Sequence, residues 1–271
     1  MLASEPEALT TERHELPPFI CREAALDAIH PHTFALIRKL ESIAPLAPEE
    51  KAAVLRLPLR LKAVPAHQDI VREGDTPFES CLIVDGFAYR YNLTDEGKRQ
   101  ILSFHISGDV PDLQSLHLDV MDHSLATLVP SRLAFIHHDD LRSLMRSHPR
   151  LGDLLWRDTL IDAAVFRQWM VGLGRRDAHG RIAHLLCELL VRLRAVELVA
   201  DHAFELPVTQ AELSDALGIS TVHVNRVLQD LRGENLITLR GGSLKVLNWA
   251  GLQEAGEFDP TYLHLVKKEA L

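Results

Sequence analysis

Apolar residues change rhythm near position 138. From 59 to 138 they fall in short runs separated by turn residues, and beyond 138 they recur every three or four positions. The first rhythm fits strands and the second fits amphipathic helices. Candidate strands cover 59–64, 69–73, 80–84, 86–93, 100–106, 124–129 and 132–137. Glu73-Gly74-Asp75, Asp85-Gly86, Asp95-Glu96-Gly97 and Ser107-Gly108-Asp109 punctuate them. Short strands punctuated in this way predict an antiparallel sandwich or jelly roll. With the helices that follow, the fold class is α+β. Ahead of the strands, Phe34, Ile37 and Leu40 share a helix face that Pro45 breaks. Pro48 restarts a helix, where its missing N–H would be unpaired in any case. Residues 1–30 show neither rhythm and read as a mobile tail.

In the helical half, a short segment at 138–147 stops at Pro149, and a long one runs from about 150 to 173. One seam of the long segment carries Leu151, Leu154, Asp158, Ile161, Val165, Gln168 and Gly172. A second carries Leu155, Thr159, Asp162, Phe166, Trp169 and Leu173. Two adjacent seams allow one helix to pack on its own domain and on a partner helix. Leu154, Ile161, Val165 and Gln168 are the candidate dimerisation residues. An ordinary two-sided core helix fits the same pattern. Residues 172–177 interrupt the helix as a candidate hinge. A further helix at about 177–198 has Ile182, Leu185, Leu186, Leu189 and Leu193 on its apolar face.

Residues 207–232 carry the most specific pattern. Thr209 and Glu212 have capping-box spacing. Leu213, Ala216 and Leu217 form an inner face, and Gly218 sits where a tight turn needs positive φ. Ser220 caps a second helix whose Val224, Val227, Leu228 and Leu231 face inward. The opposite face holds Thr221, Val222, Asn225, Arg226 and Gln229. These groups suit base edges: Arg for guanine, Asn or Gln for adenine, Val or a Thr methyl for thymine. Ser220 and His223, at the helix start, suit phosphate oxygens. A helical hairpin inside a core is the bland alternative. Against it, Leu236–Arg240, Gly241-Gly242 and Ser243–Leu247 make a hairpin with a primed two-residue turn. Two helices followed by such a hairpin form a winged helix-turn-helix, with Arg240 and Lys245 on the wing toward phosphate.

Composition narrows the partners. The 271 residues are 46% hydrophobic, enough for two packed domains. The formal net charge of -9 means that DNA affinity must come from a local cationic surface. Cys21, Cys81 and Cys187 are far apart, which argues against a disulfide framework, a zinc knuckle and an iron–sulfur site. No stretch has the length of a membrane span, and the acidic start lacks a signal-peptide core, so no membrane partner and a reducing, cytoplasmic setting are expected. His105, His117, His123, His137 and His138 show no tight ligand spacing, and no nucleophile motif is present. Neither a metal, nor a cofactor, nor a catalytic residue is therefore assigned.

The order of strand-rich roll, long helix, hinge and winged helix resembles the cyclic-AMP receptor protein / fumarate-nitrate regulator (CRP/FNR) family. The residues that carry the likeness are Glu73-Gly74-Asp75 with Leu82-Ile83-Val84 and Gly86, then Gly108-Asp109. They continue with Arg181-Ile182-Ala183 and with Thr209-Gln210 through Arg226-Val227-Leu228. The likeness spans roughly residues 35 to 250. It implies a tail at 1–30 and a cyclic-nucleotide-binding-like β-roll sensor, a double-stranded jelly roll, at 31–148. It also implies a dimerisation helix and hinge at 149–174, a DNA-binding winged helix at 175–250 and a C-terminal tail at 251–271. The resemblance implies a transcription regulator rather than an enzyme, a homodimer on a palindromic double-stranded DNA operator, and RNA polymerase as a partner.

Arg226 falls on the family's base-reading arginine. Val222 stands where the family often has an acid, so the half-site preference should differ. Cyclic-AMP-binding members use a Gly-Glu pair and a later Arg-Ser. Here Leu113 takes the Glu position and His123-Ser124 takes that of Arg-Ser. A neutral imidazole is a poor substitute for a permanent cation, so control by cyclic AMP through the usual contacts is not expected. Asp112, His117, Asp119, Asp122 and His123 form the candidate effector segment. Two other readings use the same residues: an effector sensor whose DNA binding is secondary, and an enzyme on a cupin-like roll. The second needs spaced His and carboxylate metal ligands, which the roll lacks.

Overall fold

The computed structural model describes residues 31–266. The expected tail at 1–30, with Cys21, lies outside the described residues, as do 267–271. Two short helices, α1 (Phe34–Ile43) and α2 (Pro48–Leu55), lead into seven strands. These are β1 (Arg60–Val64), β2 (Asp69–Val71), β3 (Glu79–Asp85), β4 (Ala88–Leu93), β5 (Arg99–His105), β6 (Ser124–Thr127) and β7 (Ser131–His137). Each expected strand is present within a few residues. They pair antiparallel into a three-stranded sheet, β1-β7-β3, and a four-stranded sheet, β2-β6-β4-β5. Cys81, Ile83, Ala88, Leu125 and Leu133 fill part of the space between them. Gly108 shows why the turn after β5 needs glycine. Its φ is 96°, and a methyl there would sit 2.6 Å from the carbonyl oxygen of Ala35 in α1.

Four helices continue the chain: α3 (His138–Ser147), α4 (Pro149–Arg175), α5 (Ala178–Ala195) and, after strand β8 (Ala203–Glu205), α6 (Gln210–Leu217). Pro149 starts α4 at the position where proline fits best. Then come α7 (Thr221–Gly233), β9 (Ile237–Arg240), β10 (Ser243–Val246) and α8 (Trp249–Ala255). Strand β8, which the sequence pattern did not reveal, joins the wing as a third strand in the order β8-β10-β9. Helix α5 is apolar on nearly every side because α4, α6, α7, β8 and α8 all touch it.

Two expectations are corrected. Residues 251–266 are not a tail. Leu252 of α8, Phe258 in the link that follows and Leu263 of a 3-10 turn at Pro260–Leu263 are buried. The Val266 N–H donates to the Ser42 carbonyl at 2.8 Å, tying this segment back to α1. The second correction concerns α4. Leu154, Ile161 and Val165 are buried against their own chain, and Gln168 is half-buried. The roll, α1 and α5 occupy the side where these residues were assigned to a partner. The exposed stripe instead carries Trp156, Leu160 and Met170, one to several turns apart.

Candidate nucleic-acid interface

The helix-turn-helix is built by local signals. The Thr209 hydroxyl accepts the Glu212 N–H (3.2 Å), and the Glu212 carboxylate accepts the Thr209 N–H (2.7 Å), so α6 starts in a closed capping box. Gly218 ends it in the left-handed region at φ 63°. Ser220 then caps α7 by accepting the His223 N–H. Val224, Val227, Leu228 and Leu231 are all buried. That fixes the rotation of α7 and turns Ser220, Thr221, Val222, His223, Arg226 and Gln229 outward, with Asn225 half-buried. Thr221, Val222, Asn225, Arg226 and Gln229 line one open depression with Gln210 of α6. Gln210, quoted in the sequence only for the family likeness, was not among the candidate DNA-binding residues. Its Oε1 accepts from the Asn225 side-chain amide at 3.3 Å. Beside α7, the Gly241-Gly242 turn has both φ angles positive, as a primed hairpin requires. Arg240 at the wing tip is exposed, whereas Lys245 is half-buried and paired with Asp201.

Behind this face the module is fastened to the rest of the chain. Arg181 at the start of α5 donates to three carbonyls: Arg176 (2.9 Å) in the link between α4 and α5, Leu217 (2.9 Å) at the end of α6 and Leu173 (3.0 Å) near the end of α4. On the roll side, Arg99 of β5 pairs with Asp215 of α6 at 2.8 Å, and the Gln100 amide donates to the Ala216 carbonyl. Deeper in, Arg192 of α5 bridges Asp109 of the roll (2.9 Å) and Glu188 (3.1 Å). Asp109 also pairs with Lys39 of α1 at 2.7 Å. Burial alone would raise the Asp109 carboxyl, but Lys39 and Arg192 outweigh it and hold it well below the usual carboxylate range. Burial raises Glu188, which accepts from Trp169 of α4 (3.2 Å) and the Tyr262 hydroxyl (2.9 Å). Roll, long helix, helix-turn-helix module and C-terminal segment thus meet in one buried polar junction.

The candidate effector residues do not converge. Asp112 is buried and accepts the Cys81 N–H at 2.7 Å, and burial pushes its carboxyl up to about 7. His123 is buried beside Asp122, at 2.7 Å, with its imidazole pushed down by burial and by Arg90. His117, Asp119 and Asp122 are exposed. Arg90 fills the space between the roll and α4, donating to the Pro111 carbonyl and pairing with Asp162. No group of three or more His, Cys, Asp or Glu side chains suited to a metal occurs among the described residues. No helix among them is long and apolar enough to cross a membrane. Cys81 and Cys187 are buried free thiols, both pushed up by burial.

Residues 180–255 match the Crp-like helix-turn-helix domain, and residues 61–148 match the cyclic nucleotide-binding domain. The chain is 27% identical over 216 residues to the transcriptional activator protein FnrL of Cereibacter sphaeroides, across 77% of this chain and 85% of that relative. It is 28% identical over 180 residues to the transcriptional activator protein anr of Pseudomonas aeruginosa, across 66% and 73%. The structure of FixK2 from Bradyrhizobium japonicum is similar in fold, with a TM-score of 0.67 at 22% identity, over 73% of this chain and 98% of that one. The c-di-GMP responsive global regulator CLP of Xanthomonas campestris is similar at a TM-score of 0.56 and 19% identity, over 79% and 98%.

Proposed function

The chain belongs to the CRP/FNR family of DNA-binding transcription regulators, and we propose that it reads a palindromic operator as a homodimer with α7 in the major groove. It is a regulator and not an enzyme. The observation that carries the reading is the split character of α7: one face buried to the last apolar residue, the other open and made of base-reading side chains. Arg226 has no ion pair among the described residues, so its guanidinium is free for the bidentate guanine contact. Ser220, His223 and Arg240 take phosphate. Lys245 joins them only by leaving Asp201.

The dimer forms through the exposed stripe of α4, with Trp156, Leu160 and Met170 meeting their counterparts in a parallel pair. Two such modules address half-sites about 34–36 Å apart. RNA polymerase is a further partner in this reading, in keeping with relatives named as activators. In this reading the protein works in the cytoplasm, where its DNA ligand is. The roll does not take cyclic AMP by the usual contacts, because Arg90 is engaged by Asp162 and Pro111, and His123 offers no permanent cation.

The test is a titration of wild type and Arg226→Ala on duplexes selected from a random pool. The variant should lose about 1–3 kcal/mol of sequence-specific binding and retain its non-specific component. Equal specificity in both proteins would remove α7 as the reader.

A further inference from the structure

Val222 has the highest exposure, 71%, of the large apolar side chains exposed among the described residues. It stands in the first turn of α7, on a face otherwise built from hydroxyl, amide and guanidinium groups. Nothing among the described residues covers it. Building on the reading of α7 as the DNA-reading helix, we propose that Val222 reads the 5-methyl group of a thymine in each operator half-site.

The argument is one of exclusion. In the major groove guanine offers acceptors, cytosine an amino donor, adenine one of each, and thymine an acceptor beside a methyl group. An isopropyl group can pair with none of the polar atoms. Pressed against the cytosine amino group or the guanine acceptors, it would strip them of water and return no hydrogen bond, which penalises the wrong complex. Only the thymine methyl offers apolar surface of matching kind. A carboxylate at this position would reach Arg226 four residues on, one turn away on the same face. Valine leaves Arg226 unrestrained and removes the acceptor that would select cytosine. Thr221 adds a second methyl beside it. Asn225, held by Gln210, flanks the same depression. The half-site therefore carries thymine within one or two base pairs of the guanine that Arg226 contacts, since one helical turn spans 5.4 Å.

The experiment uses the full-length protein and duplexes selected from a random pool. The selected half-sites should share a thymine at a fixed distance from an Arg226-dependent guanine. Replacing that thymine by deoxyuridine removes the methyl alone. Wild type should then bind about fourfold more weakly per half-site, and about 15-fold when both are replaced. Val222→Ala should be indifferent to the replacement, and Val222→Glu should move the preference toward cytosine at the same position. Sites that depend on Arg226 but tolerate deoxyuridine at every thymine would overturn the assignment and leave the reading of α7 intact. Absence of any preferred sequence would overturn both.

Discussion

The molecule uses its cations in two opposite ways. At the junction of roll, α4 and α5, Arg90 and Arg192 are buried, Lys39 is half-buried, and each is paired with at least one carboxylate. On the reading face, Arg226 and Arg240 are exposed and have no ion pair among the described residues. A buried guanidinium with satisfied partners holds elements in one arrangement, and losing it strands the charges it served. An exposed one adds little to stability and remains available for a ligand. The difference separates what fixes the DNA module from what the module reads. An acidic chain can bind DNA where a local surface, here α7 and the neighbouring wing, leaves its cations open.

The comparison breaks first at Arg192. Arg192→Met should destabilise the protein by about 3–5 kcal/mol in chemical denaturation, because Asp109 and Glu188 would be left in the interior without their shared cation. A loss below 1 kcal/mol would mean that the junction is not a fixed lock. A smaller effect is expected from the exposed stripe. Trp156→Glu should weaken self-association by about 2 kcal/mol or more, read by sedimentation across a dilution series. Its folding stability should change little, since Trp156 is exposed in the single chain. An unchanged dimer would move the interface off this stripe. The smallest effect belongs to the wing. Arg240→Ala should keep thermal stability, weaken binding by a similar factor on every duplex and reduce the salt slope by about one. A loss confined to one sequence would make Arg240 a base reader instead.

What the sequence revealed follows from how local each signal is. The strands were legible because Gly and Asp punctuate them, and the helix-turn-helix because Thr209, Glu212, Gly218 and Ser220 are caps readable within a few residues. The rotation of α7 followed from its apolar spacing. On α4 the same spacing gave faces but not their neighbours. Leu154, Ile161 and Val165 looked suited to a partner, and only the docked roll and α5 show that the seam is already covered. Apart from the i, i+4 spacing of Glu188 and Arg192, the junction has no local trace, because Asp109 and Arg192 lie 83 residues apart. The segment after residue 250 was missed because its apolar residues, Leu252, Phe258 and Leu263, follow no regular period and pack one by one. In the candidate effector segment, Asp112 and His123 turned inward to satisfy backbone and neighbour, which composition alone does not reveal.

Arg181 grips the ends of α4 and α6 and the link between α4 and α5 through a single planar group. Each of its nitrogens serves a different stretch of backbone, so replacing this one side chain would leave three carbonyls at three places in the chain without their donor. One residue thus works as a rivet through three plates.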